Sequence, residues 1–175
     1  MERIDNYSEF KRSILEPDLH DFMKDRGNLR KAWHCAGSLF HLHDWDYAVC
    51  KSSIDAKYKF VDDNSQTKSV TRAEHFANAL GQKCPNFQLI RGIANSSKHF
   101  ILHPAPAGRI NPPGMPSYAA NTYVSGMAFQ PGAFQSNGFQ TGDVKLQSSA
   151  GDIEFAVLAQ SVLDMWNQIF ADEGW

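Results

Sequence analysis

The chain has 175 residues, of which 42% are hydrophobic and 21% charged, and its formal net charge is −2. That length suits a single domain burying roughly 70% of the surface an unfolded chain exposes, and the composition excludes wholesale disorder. The small net charge excludes a global attraction to nucleic acid or anionic membrane, while Cys35, Cys50 and Cys84, odd in number and without a C-x-x-C pair, read as buried free thiols rather than a disulfide framework or zinc knuckle.

The start, MERIDNYSEFKRSILEPD, has no apolar signal region and no run approaches membrane-spanning length, so a cytoplasmic protein with no membrane partner is expected. Ile4, Tyr7, Phe10, Ile14, Leu15, Leu19, Phe22 and Met23 recur at spacings of three and four, the pattern of one helix face. Pro17 is expected to kink that helix or start a second piece, Gly27 to stop it, and Asn28 to cap the next. The second helix runs from Leu29 through LRKAWHCAGSLFHLHDWDYAVC, the aromatic-rich element, with Gly37 as its one breaker. KSSIDAKYKFVDDNSQTK loses periodicity and reads as a loop containing an irregular or frayed helical portion. TRAEHFANALG carries a Thr71-x-x-Glu74 capping box and ends at Gly81, a short third helix. Pro85 opens a fourth, expected to end near His103 ahead of Pro104.

From Pro104 to Gly142 the prolines and glycines exclude a long helix. The expectation is a Pro-rich loop, a strand near Thr122 to Phe129, a loop carrying the pairs Phe129-Gln130, Phe134-Gln135 and Phe139-Gln140, and a strand near Val144 to Ser148. DIEFAVLAQSVLDMWNQIF then closes the chain with a wide apolar stripe, from Ile153 through Val157, Leu158, Ser161, Val162, Met165 and Trp166 to Ile169 and Phe170, whose Met and aromatics are core by default. The fold expected is mainly α: one domain over residues 1–175, an antiparallel four- or five-helix bundle with a small β-hairpin insertion, within residues 104–150, before the last helix.

Charge is unevenly placed. No acid lies between Glu74 and Asp143, where Lys83, Arg91, Lys98 and Arg109 fall, and six acids against Lys145 follow from Asp143. Four cations over such a stretch are no polybasic tract, so intramolecular pairing or solvation is the first expectation.

Two helices carry polar residues on faces that ought to be buried. On the fourth, Arg91, Asn95 and His99 follow at i, i+4, i+8, and Lys98 lies almost directly above Arg91. On the second, His34, Ser38, His41 and either Asp44 or Trp45 form a similar row, with His43 and Asp46 pointing elsewhere. His34 and His41 lie about 10.5 Å apart along the axis, too far to share an ion unaided, whereas His41 and Asp44 have the i, i+3 spacing of bundle metal sites and could converge with His99 on Zn²⁺ or Fe²⁺. A second reading joins His34, Ser38, His41, Asn95 and His99 into a hydrogen-bonded network fixing helix register, with no cofactor. A third follows from chemistry: a His beside Arg and Lys is what metal-independent RNA cleavage requires, the His moving protons and the cations stabilising the phosphorane.

The helical layout, with LIRGIANSSKHF on a late helix, resembles the HEPN superfamily of small prokaryotic helical-bundle proteins, and especially bacterial proteins with an HLHDW-like and an N-x-x-K-H-F-like helix. The resemblance covers Leu29 to Leu102. It implies a helical bundle that binds RNA or cleaves it as an endoribonuclease without metal, with His99 as general acid/base, Arg91 and Lys98 as phosphate binders and Asn95 orienting. The family pattern places four to six residues between Arg and His, and here seven lie between Arg91 and His99. Many members of the superfamily serve instead as binding or dimerisation modules. The matching alternative is a non-catalytic interaction protein, a homodimer that uses the Phe/Gln/Gly loop and Trp175 as contact surface.

Overall fold

The computed structural model describes residues 4–98, 122–124, 142–148 and 151–173, without the side chains of 96–98, 122–124 and 147–148. The fold is a five-helix bundle, mainly α, with a small antiparallel β insertion before the final helix.

The N-terminal helix starts with α1 (Tyr7–Phe10), capped by the Asn6 side chain, which accepts from the Glu9 amide at 2.9 Å. A π-helical turn, Lys11–Leu15, joins it to α2 (Glu16–Lys24). The cause is Pro17. It offers no N–H to the Ser13 carbonyl and its ring would press on that oxygen, so the preceding turn widens and the Glu16 amide reaches back five residues to Lys11. Asn28 caps α3 (Leu29–Lys57) as expected, accepting from the Lys31 amide at 3.2 Å.

Helix α3 continues beyond the expected loop boundary and bends at Cys50, where φ −105° and ψ 19° leave the helical region. After it β1 (Lys59–Val61) and β2 (Thr67–Ser69) form a hairpin where the sequence suggested a loop. Its few apolar anchors, Ile54, Tyr58, Phe60 and Val70, are all buried but too widely spaced to show a period. The Asp62 carboxylate accepts from the Asn64 and Gln66 amides to shape the turn, and the Gln82 carboxamide pairs with both backbone groups of Val61, standing in for a missing strand.

Helix α4 (Ala73–Lys83) departs from expectation at both ends. Its N-cap is Arg72, without a side-chain cap bond, and Thr71 turns instead to His75, so the Thr71/Glu74 capping box does not form. At the other end Gly81 is helical rather than a stop; its missing Cβ leaves room for the Gln88 side chain of α5 (Pro85–Lys98). The expected end of that helix near His103 lies outside the described residues.

A three-stranded sheet in the order β3 (Thr122–Val124), β4 (Val144–Ser148), β5 (Gly151–Glu154) precedes α6 (Phe155–Glu173). Both expected strands are present in part or whole, and β5 is an addition: it takes Ile153, which the sequence pattern assigned to the last helix. Arg26 fastens this sheet to the bundle. Its carbonyl accepts from the Val144 amide, and its guanidinium meets Asp143 at 3.0 Å and Glu154 at 2.9 Å. Among the described residues, acids of the C-terminal third pair with cations of the N-terminal half, Arg26 here and Lys57 at Glu173.

One core cluster unites these elements, with α3 packed along α2, α4, α5 and α6. Trp166 sits at its centre, fully buried, and its indole N–H donates to the Leu39 carbonyl of α3 at 3.0 Å. The Met and aromatic stripe of α6 is core, as its periodicity implied.

Candidate functional site

The polar row of α3 opens onto a cleft of about 450 Å³ between that helix and the N-terminal helix. His34, Ser38, His41, Asp44 and Trp45 all line it, which the i, i+3, i+4, i+7 spacing of these residues permits on one helix face. Asp18 of α2 and Phe10 of α1 complete the walls. The Ser38 hydroxyl is within hydrogen-bond reach of both the Asp18 carboxylate and the His34 carbonyl, with one proton to give. His41 Nδ1 lies 3.0 Å from Asp44 Oδ2, so the expected i, i+3 pair forms. Phe10 and Trp45 stack with centroids 5.4 Å apart and planes at 26°.

Gly37 forms part of the lining, and outside its own stretch of helix no atom of the described residues lies within 4 Å of the place its Cβ would occupy. Its backbone is helical and nothing crowds it, so neither reason that usually keeps a glycine applies, although glycine inside a helix costs about 1 kcal/mol relative to alanine.

The second polar row goes elsewhere. Arg91 of α5 points at α4, donating to Asn78 Oδ1 at 2.7 Å, and its guanidinium carbon lies 6.0 Å from the centre of the Phe40 ring. Burial lowers its pKa, which Glu74 partly offsets. The α3 histidine in its neighbourhood is His43, whose Nδ1–H donates to the Phe40 carbonyl and whose Nε2 lies 3.3 Å from Asp44. Burial pushes the His43 pKa below the usual imidazole value. Asn95 is half-buried on α5. Lys98 ends the described helix with its side chain outside the described atoms, and His99 lies outside the described residues, as do the Phe-Gln pairs and Trp175.

Of the residues in the metal alternative, His41 and Asp44 contact each other and His99 lies outside the described residues. Among the described residues no group of three or more His, Cys, Asp or Glu side chains is arranged to hold an ion. Cys35 is buried, which pushes its thiol up to about 12 and makes it inert.

Sequence reasoning set aside His43 and Asp46 as pointing away from the row, and both proved buried. Asp46 is fully buried, and among the described residues its carboxylate oxygens find no partner stronger than a thiol. The Cys50 thiol offers weak support, and burial, with Glu173 nearby, pushes the carboxyl up to about 7. An acid in the middle of an aromatic-rich helix was the available signal. Asp18 and Asn78 gave none, since they join their partners from other helices.

Comparison with family models, with curated proteins and with solved structures finds no match for this chain. The helical-bundle architecture implied by the HEPN resemblance is present; membership of that superfamily is not supported by any match.

Proposed function

We propose that this protein is a non-catalytic interaction module: a small helical bundle that works by binding, with Arg91 of α5 and Asn78 of α4 spent on fixing helix register. The observation that carries this reading is Arg91. Its guanidinium is desolvated, bonded to the Asn78 amide oxygen and set over Phe40. To hold a scissile phosphate it would have to abandon a short hydrogen bond and a buried position, whereas an arginine kept for phosphate presents its fork to solvent. A buried charged hydrogen bond of this kind between two helices stiffens one packing of them.

The test separates binding from turnover. Wild-type protein incubated with quenched fluorescent single-stranded RNA is expected to give no cleavage, and Arg91→Ala to lower stability by about 2–3 kcal/mol through a lost charged hydrogen bond and lost stem packing. RNA cleavage abolished by His99→Ala with an unchanged melting curve would overturn the proposal in favour of the HEPN-type endoribonuclease. Self-association is part of the same reading: light scattering is expected to give a dimer mass, and deleting residues 131–140 a monomer mass.

A further inference from the structure

Asp46 belongs to neither polar row, and the groups around it come from both ends of the chain. It is fully buried one turn ahead of the bend at Cys50, whose thiol is its partner among the described residues. Glu173, on the last turn of α6, lies close enough for its charge to act on Asp46. Tyr7 of α1 feels the Asp46 charge in turn, and its ring stacks on Phe170 of α6 with centroids 5.0 Å apart. The end of α6 therefore lies against the Asp46 side of α3. It is fastened there through Glu173, whose carboxylate is 7% exposed, pairs with the Lys57 ammonium and accepts from the Tyr58 hydroxyl at 3.4 Å. Lys57 ends the arm of α3 beyond the bend, and Tyr58 follows it, acted on by the charges of Asp46, Glu173 and Asp172. From α4, the Lys83 ammonium sits over the Tyr58 ring, 4.3 Å from its centre. Two carboxyl groups, Asp46 and Glu173, thus share a poorly hydrated place in which Lys57 is already committed to Glu173, and a second negative charge there is costly.

We propose that the end of α6 is a proton-controlled latch: it closes over Asp46 while that carboxyl carries its proton, and its last turn leaves α3 when the proton is lost. Closed, the latch keeps Asp46 from water, and burial together with the Glu173 charge raises its pKa to about 7. Open, the carboxyl is hydrated and returns toward the ordinary 3.8. Well below 3.8 both forms hold the proton and closure keeps its full advantage. Between 3.8 and about 7 the open form gives up the proton first, so opening gains close to tenfold for each pH unit, and above about 7 the gain is complete. A terminal turn yields at lower cost than the middle of a helix, and the middle of α6 is anchored by Trp166 on the Leu39 carbonyl. The latch goes beyond the interaction reading above and does not depend on it, because it involves neither Arg91 nor residues 131–140.

The experiment is native-state hydrogen exchange of the full chain at pH 5 and pH 7.5, corrected for the intrinsic pH dependence of exchange and repeated at low urea concentrations. Amides of residues 170–173 and 57–58 are expected to exchange through a local opening with little urea dependence, populated at least about tenfold more at pH 7.5 than at pH 5. Amides of α3 from Ala32 to Leu42 are expected to exchange through the strongly urea-dependent global unfolding. Asp46→Asn keeps the shape of the neutral acid at every pH, and is expected to show the pH 5 extent of opening at both values. His43 and His75 titrate near this window but remain in that variant, so its comparison with wild type isolates Asp46. Glu173→Ala removes the fastening and is expected to leave residues 170–173 open at both pH values. Equal opening of the wild type at the two pH values would overturn the proposal, and this comparison stands even if Asp46→Asn does not fold. So would a pH-dependent opening that persists in Asp46→Asn, or an end of α6 that exchanges with the urea dependence of α3 at both pH values.

Discussion

Replacing Asp46 by Asn should make the protein more stable at neutral and alkaline pH, and the size of the gain should follow pH in a defined way. Asp46 is fully buried, its two carboxylate oxygens find no partner stronger than the Cys50 thiol among the described residues, and its pKa is raised from 3.8 to about 7 by burial first and then by the charge of Glu173, against the weak pull of that thiol. The groups facing it come from several elements: Tyr7 on α1, Cys50 on its own helix, Tyr58 after the bend, and Glu173 on α6, which is itself ion-paired with Lys57. Well below pH 3.8 the carboxyl is neutral in both folded and unfolded chain. As pH rises toward 7 the unfolded chain releases the proton while the fold retains it, so the stability contributed by the neutral form is lost across this window, and above it the penalty is constant. At 1.36 kcal/mol for each tenfold change, the full penalty is about 4 kcal/mol. Asn has the shape of the neutral acid at every pH. Urea denaturation followed by far-UV circular dichroism should therefore show the stability difference between Asp46→Asn and wild type growing from less than about 1 kcal/mol at pH 4.5 to about 3–4 kcal/mol at pH 8. His43 and His75, both with pKa values lowered by burial, add a slope of the opposite sign as pH falls below about 6.5, but equally in both proteins, so the difference isolates Asp46. A difference independent of pH, or a wild type more stable at pH 8, would refute the reasoning.

Trp166→Phe removes the indole donor to the Leu39 carbonyl and leaves part of its volume empty, so a loss of about 2 kcal/mol is expected, and Trp166→Ala should cost about 3–5 kcal/mol, both read from urea midpoints. Arg26→Ala should loosen the sheet with little effect on the bundle. Because Arg26, Asp143 and Glu154 are all more than a third exposed, the stability loss is expected to be about 1 kcal/mol or less and to shrink with added salt, while amide exchange at Val144 and Leu146 speeds up and that of α3 stays slow.

How legible the molecule was in its sequence varied with the kind of information required. The caps and periods of α3 and α6 were plain, because Asn28 and the apolar stripe act within a few residues of where they stand. The β1–β2 hairpin was not, since its strands are three residues each and are held by the Gln82 side chain from a helix further along the chain. The Thr71/Glu74 pattern misled because Thr71 found a nearer competitor in His75. For the candidate site, the row His34, Ser38, His41, Asp44 could be read from helical spacing, while the opposite wall could not.

The sequence by itself determined the helical class, the β insertion before the last helix and the residues that share a face, because these depend on 3.6- and two-residue periods and on local capping chemistry. Only the tertiary structure decided which faces meet. It turned the α3 row toward Asp18 and Phe10, turned Arg91 toward Asn78, and sealed Asp46 from water, since partner choice between helices rests on packing and desolvation among residues far apart in the chain, and no local pattern encodes either.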